Sequence, residues 1–272
     1  MSELEAIVLG LVQGLTEFLP VSSSGHLEIG RTLLGVEATQ DMVFDVVVHA
    51  ATVLSTIVVF RKEIWKLLKG FFRFKANDEM DYVLKIAVSM IPVFIVGVFF
   101  KDQLTSFFKD GGIMLVGGAL ILTAILLFFS DLVSRTKLKD KLNKQTPACN
   151  GISWWQAFVV GIGQAIAVLP GLSRSGTTIS TGLICGVKRE VIAQFSFLMV
   201  LVPILGEAFL EIVGGDIAGS TIGAGPLALG FISAFISGLF ACKVMIALVK
   251  RARMSWFALY CLIVAILIFV LA

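Results

Sequence analysis

Long stretches of this chain carry few charges, and that excludes most of what a chain of 272 residues can fold into. Runs near 41–60, 83–100, 112–130, 190–213, 223–249 and 254–271 each approach the roughly 20 apolar residues that cross a bilayer. Hydrophobic residues make up 57% of the chain and charged residues only 15%, where a soluble domain carries about 25%. So much apolar surface needs lipid as its solvent. The expected fold class is therefore an all-α integral membrane protein, one membrane domain over 1–272. The opening Met-Ser-Glu-Leu-Glu has neither a basic n-region nor a small-residue cleavage site, so it does not read as a cleaved signal peptide. Cys149, Cys185, Cys242 and Cys261 lie far apart, with no C-x-x-C pair. They suggest neither a zinc site nor a disulfide framework.

Two apolar stretches do not fit as spans. Residues 3–19 run into Pro20 and 22–35 follow at once; residues 152–169 run into Pro170 and 173–187 follow. Each piece is short, partly polar and broken by Pro and Gly. Such segments read as re-entrant helical hairpins, which survive in a membrane only where protein or a cavity satisfies the backbone.

Basic residues set the expected orientation. Arg61, Lys62, Lys66, Lys69, Arg73 and Lys75 follow the first span, Arg135, Lys137, Lys139, Lys141 and Lys144 the third, and Lys250, Arg251 and Arg253 the fifth. The opposite face offers Arg31, Lys101 and Lys109. The positive-inside rule makes the three basic loops cytoplasmic and leaves both termini outside. Trp65, Trp154, Trp155 and Trp256 fall beside the basic loops, where interfacial anchors belong.

The chain also resembles itself at an offset of 151 (161 less 10). Gly10 matches Gly161, Gln13 matches Gln164, and Ser22, Ser24 and Gly25 match Ser173, Ser175 and Gly176. Gly35-Val36 matches Gly186-Val187, and Phe44 matches Phe195. Each half then reads as one hairpin plus three spans: hairpin 3–35 within 1–130, and hairpin 152–187 within 152–272. An odd number of crossings inverts the second half. The two hairpins are expected to enter from opposite sides and meet near the midplane, the arrangement that marks binding sites in transporters.

The polar residues of the hairpins are the candidate chemistry. Gln13 and Glu17 are four apart and share a helical face. A carboxylate at this depth is costly and by default functional. Ser22, Ser23 and Ser24 follow Pro20 and are placed to cap a new helix. Gly25 and His26 come next, and the spacing of Ser23 and His26 puts a hydroxyl and an imidazole on one face. That pattern suits a nucleophile beside a base, or a phosphate donor beside a proton carrier. In the second hairpin, Pro170-Gly171-Leu172-Ser173-Arg174-Ser175-Gly176-Thr177-Thr178 opens a helix whose N-terminal N–H groups favour phosphate. Arg174 adds a permanent bidentate charge; pairing with Glu17 is its structural alternative. Asp45 and His49 share a face of the first span and are expected to line the pocket, in a supporting rather than a catalytic role. Glu207 and Glu211, near the outer end of the fourth span, read as interfacial, and Lys188 and Arg189 as charges at the cytoplasmic rim.

Charge balance points to a ligand. A diphosphate ester carries two to three negative charges, and Arg174 with two helix N-termini, at ~0.5 charge each, cancels most of them. Glu17 adds one back, and a divalent cation between Glu17 and phosphate would close the deficit. Mg²⁺ is the first expectation, with Ca²⁺ as the alternative.

Together these residues resemble the undecaprenyl-diphosphate phosphatases of the bacitracin-resistance type. That family's pattern of Glu or Gln, three residues, then Glu falls on Gln13 to Glu17. Its Pro-Val-Ser-Ser-Ser/Thr-Gly-His stretch falls on 20–26, and its Pro-Gly-x-Ser-Arg-Ser-Gly stretch on 170–176, followed by Thr178. The resemblance implies hydrolysis of a long-chain isoprenyl diphosphate in the bacterial cytoplasmic membrane, recycling the carrier lipid of the cell wall. It also implies a divalent-cation requirement and a site reached from the outer face. Carried over by position, Glu17, Ser23, His26 and Arg174 are the catalytic set. Gln13, Ser22, Ser24, Gly25, Ser173, Ser175, Gly176 and Thr178 are substrate contacts, with Glu17 also the metal ligand. Members with Glu in place of Gln13 offer a second carboxylate that this chain lacks. The expected partners are the lipid substrate and the bilayer, with a homodimer as an open assembly and no nucleic acid.

Two other classes compete. A transporter or flippase for a phosphorylated isoprenyl lipid would also use inverted repeats and broken helices. The other class of membrane lipid phosphatase has a Pro-Ser-Gly-His pattern and a later Ser-Arg, echoed by Ser24-Gly25-His26 and Ser173-Arg174. It also has a nucleophilic His after that Ser-Arg, and Ser180 stands six residues past Arg174 instead.

Overall fold

The computed structural model describes residues 1–36, 42–135, 150–214, 222–251 and 253–271, of which 42, 101–111, 135, 207–214, 250 and 251 are described by backbone alone. All regular structure among them is helical: α1 (Glu3–Thr16), α2 (Ser23–Leu34), α3 (Met42–Val59), α4 (Arg61–Phe71), α5 (Asp78–Phe99), α6 (Lys101–Arg135), α7 (Trp154–Ile166), α8 (Arg174–Ile184), α9 (Arg189–Gly214), α10 (Ala224–Arg251) and α11 (Met254–Leu271). Five helices are long and apolar enough to cross a bilayer, within α5, α6, α9, α10 and α11. Counted with α4, from which it is bent by 77°, α3 is the candidate for a sixth. The chain is a multi-pass membrane protein with the span positions that the apolar runs predict.

Local chemistry fixes the ends. Asn77 caps α5 at the Met80 N–H, with Asp78, Glu79 and Asp81 in the first turn, where carboxylates suit the positive end of the helix dipole. Gly112, at φ 51° and ψ −152°, breaks α6, so its membrane span starts there. Pro92 and Pro203 sit inside α5 and α9, which membrane helices tolerate because neighbours re-satisfy the backbone.

One basic stretch departs from the expected loop. Residues 61–71 form α4, because Ile64 and Leu67 pack against the core while Gly70 lies under Glu79 of α5. The basic residues Lys137, Lys139, Lys141 and Lys144, and Cys149, fall outside the described residues. The side chains of Arg135, Lys101, Lys109, Glu207, Glu211, Lys250 and Arg251 do too.

The two broken stretches are helical hairpins, α1–α2 and α7–α8. Their first helices start 151 residues apart (154 less 3), and so do their second helices (174 less 23). The same devices recur. Ser2 with Glu5, and Ser153 with Gln156, form capping boxes, each satisfying two orphan N–H donors. Each hairpin leans on a span from the other half of the chain: α1 packs along α10, and α7 along α5. Small residues make this possible. A Cβ at Gly10 would overlap Ser233 Oγ and the Gly230 carbonyl; one at Gly14 would overlap Ser237 Oγ and the Ala234 carbonyl. At Gly161 it would overlap the Ser89 backbone. Where lipid removes the hydrophobic drive between helices, such close backbone approach supplies the packing.

Buried charges are paired, as the cost of an isolated ion requires. Arg31 of α2 binds Asp45 of α3, and Lys85 binds Asp81 within α5. Arg189 donates to Asp131 Oδ1 at 2.9 Å and to Ser134 Oγ at 2.9 Å, and Ser255 donates to Asp131 Oδ2 at 2.9 Å. Arg189 is thus a clamp among α6, α9 and α11 rather than a simple rim charge. Cys185, Cys242 and Cys261 are free thiols.

Candidate active site

The hairpin tips meet and are stitched to each other. Ser24 Oγ accepts from the Gly171 N–H at 3.2 Å, and Ser175 Oγ donates to the Leu19 carbonyl at 3.0 Å. Ser24 and Ser175 are a matched pair of the 151 offset, so each tip reaches the other with the same serine. Each following helix is also capped alike: Ser22 Oγ accepts from the Gly25 N–H at 3.1 Å, and Ser173 Oγ from the Gly176 N–H at 3.0 Å. Ser22 caps from φ 71°, a left-handed conformation that strains a non-glycine residue. Ser173 caps from φ −70°, its turn opened instead by Gly171 at φ 81°, where glycine has no Cβ to clash.

Glu17 stands between the tips, on the first residue past α1, and its side chain is 8% exposed. Oε2 accepts from Gln13 Nε2 at 2.8 Å and from Ser23 Oγ at 2.6 Å. Oε1 faces Arg174 Nη2 at 3.4 Å across the tips, and Arg174 is 25% exposed. His49 Nε2 of α3 lies 3.7 Å from Oε2. The fold thus brings Gln13, Glu17, Ser23, His49 and Arg174 into one network.

His26 goes elsewhere. Its Nδ1 bonds the Ser22 carbonyl at 2.7 Å. A carbonyl only accepts, so Nδ1 carries the hydrogen and Nε2 of the neutral ring is an acceptor. Nε2 takes its partner from Tyr260 of α11, whose hydroxyl is 2.8 Å away and whose ring stacks on the imidazole at 5.6 Å and 10°. The spacing that puts Ser23 and His26 on one face holds for the helix, but the described hydrogen bond of Ser23 runs to Glu17. Nothing in the hairpins points to Tyr260, 234 residues from His26; its signal is one of only two tyrosines in the chain, set in an otherwise apolar span.

Beside this network lies a small pocket. Glu17, Arg174, Ser175, Thr52 and Thr56 line its polar side, and Phe18, Val53, Phe197, Val200, Leu201 and Ile204 its apolar side. Asp45 and His49 are not in the lining: Asp45 holds Arg31, and His49 Nδ1 donates to the Asp45 carbonyl at 2.8 Å. Thr178 is buried behind Arg174, bonded to the Arg174 carbonyl at 2.8 Å and to Ser196 Oγ at 2.6 Å. It braces the arginine turn and does not open to the pocket.

The oxygen set around Glu17 fits a hard divalent cation. The amide oxygen of Gln13 is buried with no hydrogen-bond partner among the described residues, on a residue already bonded to the Glu17 carboxylate. Among the described residues no group of three or more His, Cys, Asp or Glu could form a cage. Such a site would need substrate oxygens to complete it, as is common for Mg²⁺.

Known proteins match the sequence of this chain over nearly its whole length. The chain is 51% identical over 274 residues to the undecaprenyl-diphosphatase of Bacteroides thetaiotaomicron, covering 99% of both chains. It is 51% identical over 267 residues to that of Parabacteroides distasonis, covering 97% of this chain and 96% of the other. It is 49% identical over 275 residues to that of Bacteroides fragilis, covering 100% and 99%. The family profile described as bacitracin resistance protein BacA matches residues 6–267, and this chain belongs to that family.

Proposed function

We propose that this protein hydrolyses undecaprenyl diphosphate to undecaprenyl phosphate and phosphate, returning the carrier lipid to cell-wall synthesis. One observation carries the reading: the Glu17–Arg174 contact at 3.4 Å sits at the polar end of a pocket whose other end is apolar. A headgroup with two phosphates and a long hydrocarbon tail has that same polarity. The relatives' shared name supports the same substrate.

Arg174 and the N-termini of α2 and α8 bind the diphosphate, supplying charge where the leaving phosphate develops it. Ser23 Oγ, at 2.6 Å from Glu17 Oε2, attacks the terminal phosphorus while Glu17 takes its proton; the bridging P–O bond breaks, and undecaprenyl phosphate leaves with the proton that Glu17 gives up. The freed carboxylate then takes a proton from a water whose oxygen attacks the phosphoserine; the phosphorus–Ser23 oxygen bond breaks, Ser23 recovers the proton from Glu17, and phosphate leaves. His26, fixed with Nδ1–H on Ser22, offers Nε2 for a proton exchange on the Tyr260 side of the tips. Ser22, Ser173 and Ser175 shape the tips, and Ser24 and Gly176 hold their spacing. Glu17 and the amide oxygen of Gln13 would hold a divalent cation, Mg²⁺ or Ca²⁺, which when bound neutralises phosphate charge. Most of the rate comes from positioning and electrostatics, as in phosphoryl transfer generally. The matched hairpins support an inverted-repeat organisation, with the basic segments on the cytoplasmic side and both termini outside.

Purified protein in detergent, without any gradient, is expected to release phosphate from a long-chain isoprenyl diphosphate and to stop when a chelator is added. The Arg174→Ala variant is expected to be nearly inactive. Transport of the intact lipid without phosphate release would overturn the reading in favour of a flippase.

A further inference from the structure

The feature that the pocket chemistry leaves unused is α4. Between residues 61 and 75 stand Arg61, Lys62, Lys66, Lys69, Arg73 and Lys75, against the single carboxylate Glu63. The helix turns 77° from α3, so with α3 crossing the bilayer α4 runs close to the membrane plane. Three stripes run along it. Ile64, Leu67 and Gly70 face the protein. Trp65, Leu68 and Phe72, spaced three and four apart, form one outward apolar stripe and are 69%, 44% and 64% exposed. Lys62, Lys66 and Lys69 form an outward basic stripe beside it, with Lys66 also 3.5 Å from Glu79.

We propose that α4 is a binding surface for anionic phospholipid headgroups. An outward apolar stripe has no place in water on a helix this basic. Laid in the interface, Trp65, Leu68 and Phe72 enter the acyl boundary while the lysines meet lipid phosphates, which is how amphipathic basic helices bind membranes. Phe74, 74% exposed just past the helix, extends the buried edge. Phe60, the residue between α3 and α4, packs on Phe197 of the core, so the helix is held from its start. The occupant follows from charge: a neutral lipid surface would accept the apolar stripe but add no counter-charge to the basic one, in which Glu79 faces Lys66.

The test reconstitutes the full chain in nanodiscs of equimolar phosphatidylglycerol and phosphatidylcholine, extracts it gently and weighs the lipids that stay bound. Wild type is expected to retain phosphatidylglycerol in excess over phosphatidylcholine. In the combined variant Lys62→Gln, Lys66→Gln, Lys69→Gln that excess is expected to fall at least about fivefold, since each cation near an anionic surface is worth roughly this factor. Phosphate release in neutral detergent stays at the wild-type rate, showing that the variant is folded. A second measurement reads the pose directly: with Cys149 and Cys185 replaced by Ser, a nitroxide on Leu68→Cys is expected to be reached by oxygen and shielded from a water-soluble nickel chelate, and one on Lys69→Cys the reverse. Equal retention of both lipids by wild type, an unchanged excess in the variant, or equal depth for the two labels would overturn the proposal.

Discussion

The two hairpins share a frame and differ in what they carry on it. Both begin with a capping box, both cap their second helix with a serine onto a glycine N–H, and both reach the opposite tip with a matched serine. Yet where the first hairpin has Glu17 the second has Val168, where it has Ser23 the second has Arg174, and where it has His26 the second has Thr177. The carboxylate, the Ser23 hydroxyl and the imidazole sit on one tip and the guanidinium on the other. Neither tip alone is a site. A fold that brings together two matched hairpins supplies a cleft, and their differences place opposite charges across it. Gln164 shows how far that has gone: it matches Gln13, but with Val168 in place of a glutamate its buried amide has no described hydrogen-bond partner.

Breaking the division of charge gives the largest effects. Arg174→Ala is expected to lower kcat by about 10³ in phosphate-release assays, the scale of losing a preorganised anion donor. If charge is the reason, Arg174→Lys keeps part of the rate, but short of wild type because the bidentate fork is gone. Equal loss in both variants would mean that shape, not charge, is what the second tip supplies. Glu17→Gln comes next, at about 10²-fold, since the amide still accepts from Ser23 but no longer takes its proton. It also leaves Arg174 without its facing carboxylate, so substrate binding is expected to hold while turnover falls; a KM that rises with kcat unchanged would move Glu17 from chemistry to binding.

Smaller effects test the side of His26 that faces α11. Tyr260→Phe keeps the stacked ring and removes one hydroxyl. A net hydrogen bond of about 1 kcal/mol predicts roughly a fivefold fall in kcat, with a melting temperature lower by only about 2–4 °C. Tyr260→Ala, which removes the stack as well, is expected to lose more. Wild-type rates in both would show His26 to be a packing residue on this tip, as Thr177 is on the other.

What was legible in the sequence follows the same division. The spans, the two broken stretches and the 151-residue correspondence were readable because they are local: apolar length, Pro and Gly breaks, and serines before a helix. Gln13 and Glu17 were readable as a pair because four residues on a helix fix their contact, and they do bond at 2.8 Å. The meeting of Glu17 with Arg174 followed from the symmetry alone, with no local signal. The partner of His26 was not readable, because helical spacing fixes which face a side chain leaves from but not which of two neighbours it reaches. Ser23 was taken by Glu17 and His26 by Tyr260, on a span that composition marks only as apolar. Likewise α4 reads as a basic loop until Ile64 and Leu67 are seen against the core.

The smallest effect isolates the one backbone difference between the tips. Ser22 and Ser173 make the same cap, but Ser22 makes it at φ 71° and Ser173 at φ −70°. Replacing a capping serine by alanine costs about 1 kcal/mol and by glycine a few tenths, so glycine is expected to be the milder change at both positions. At Ser22 glycine also relieves a left-handed conformation worth about 1–2 kcal/mol. The stability gap between the Gly and Ala variants is therefore expected to be wider at position 22 than at 173 by about that amount, measured as thermal or denaturant unfolding in one detergent. The Ser22→Gly variant should nonetheless turn over more slowly, because a freer backbone at 22 loosens the carbonyl that holds His26 Nδ1. Equal gaps at the two positions would show that Ser22 carries no strain, and the first tip would then owe its chemistry to side chains alone.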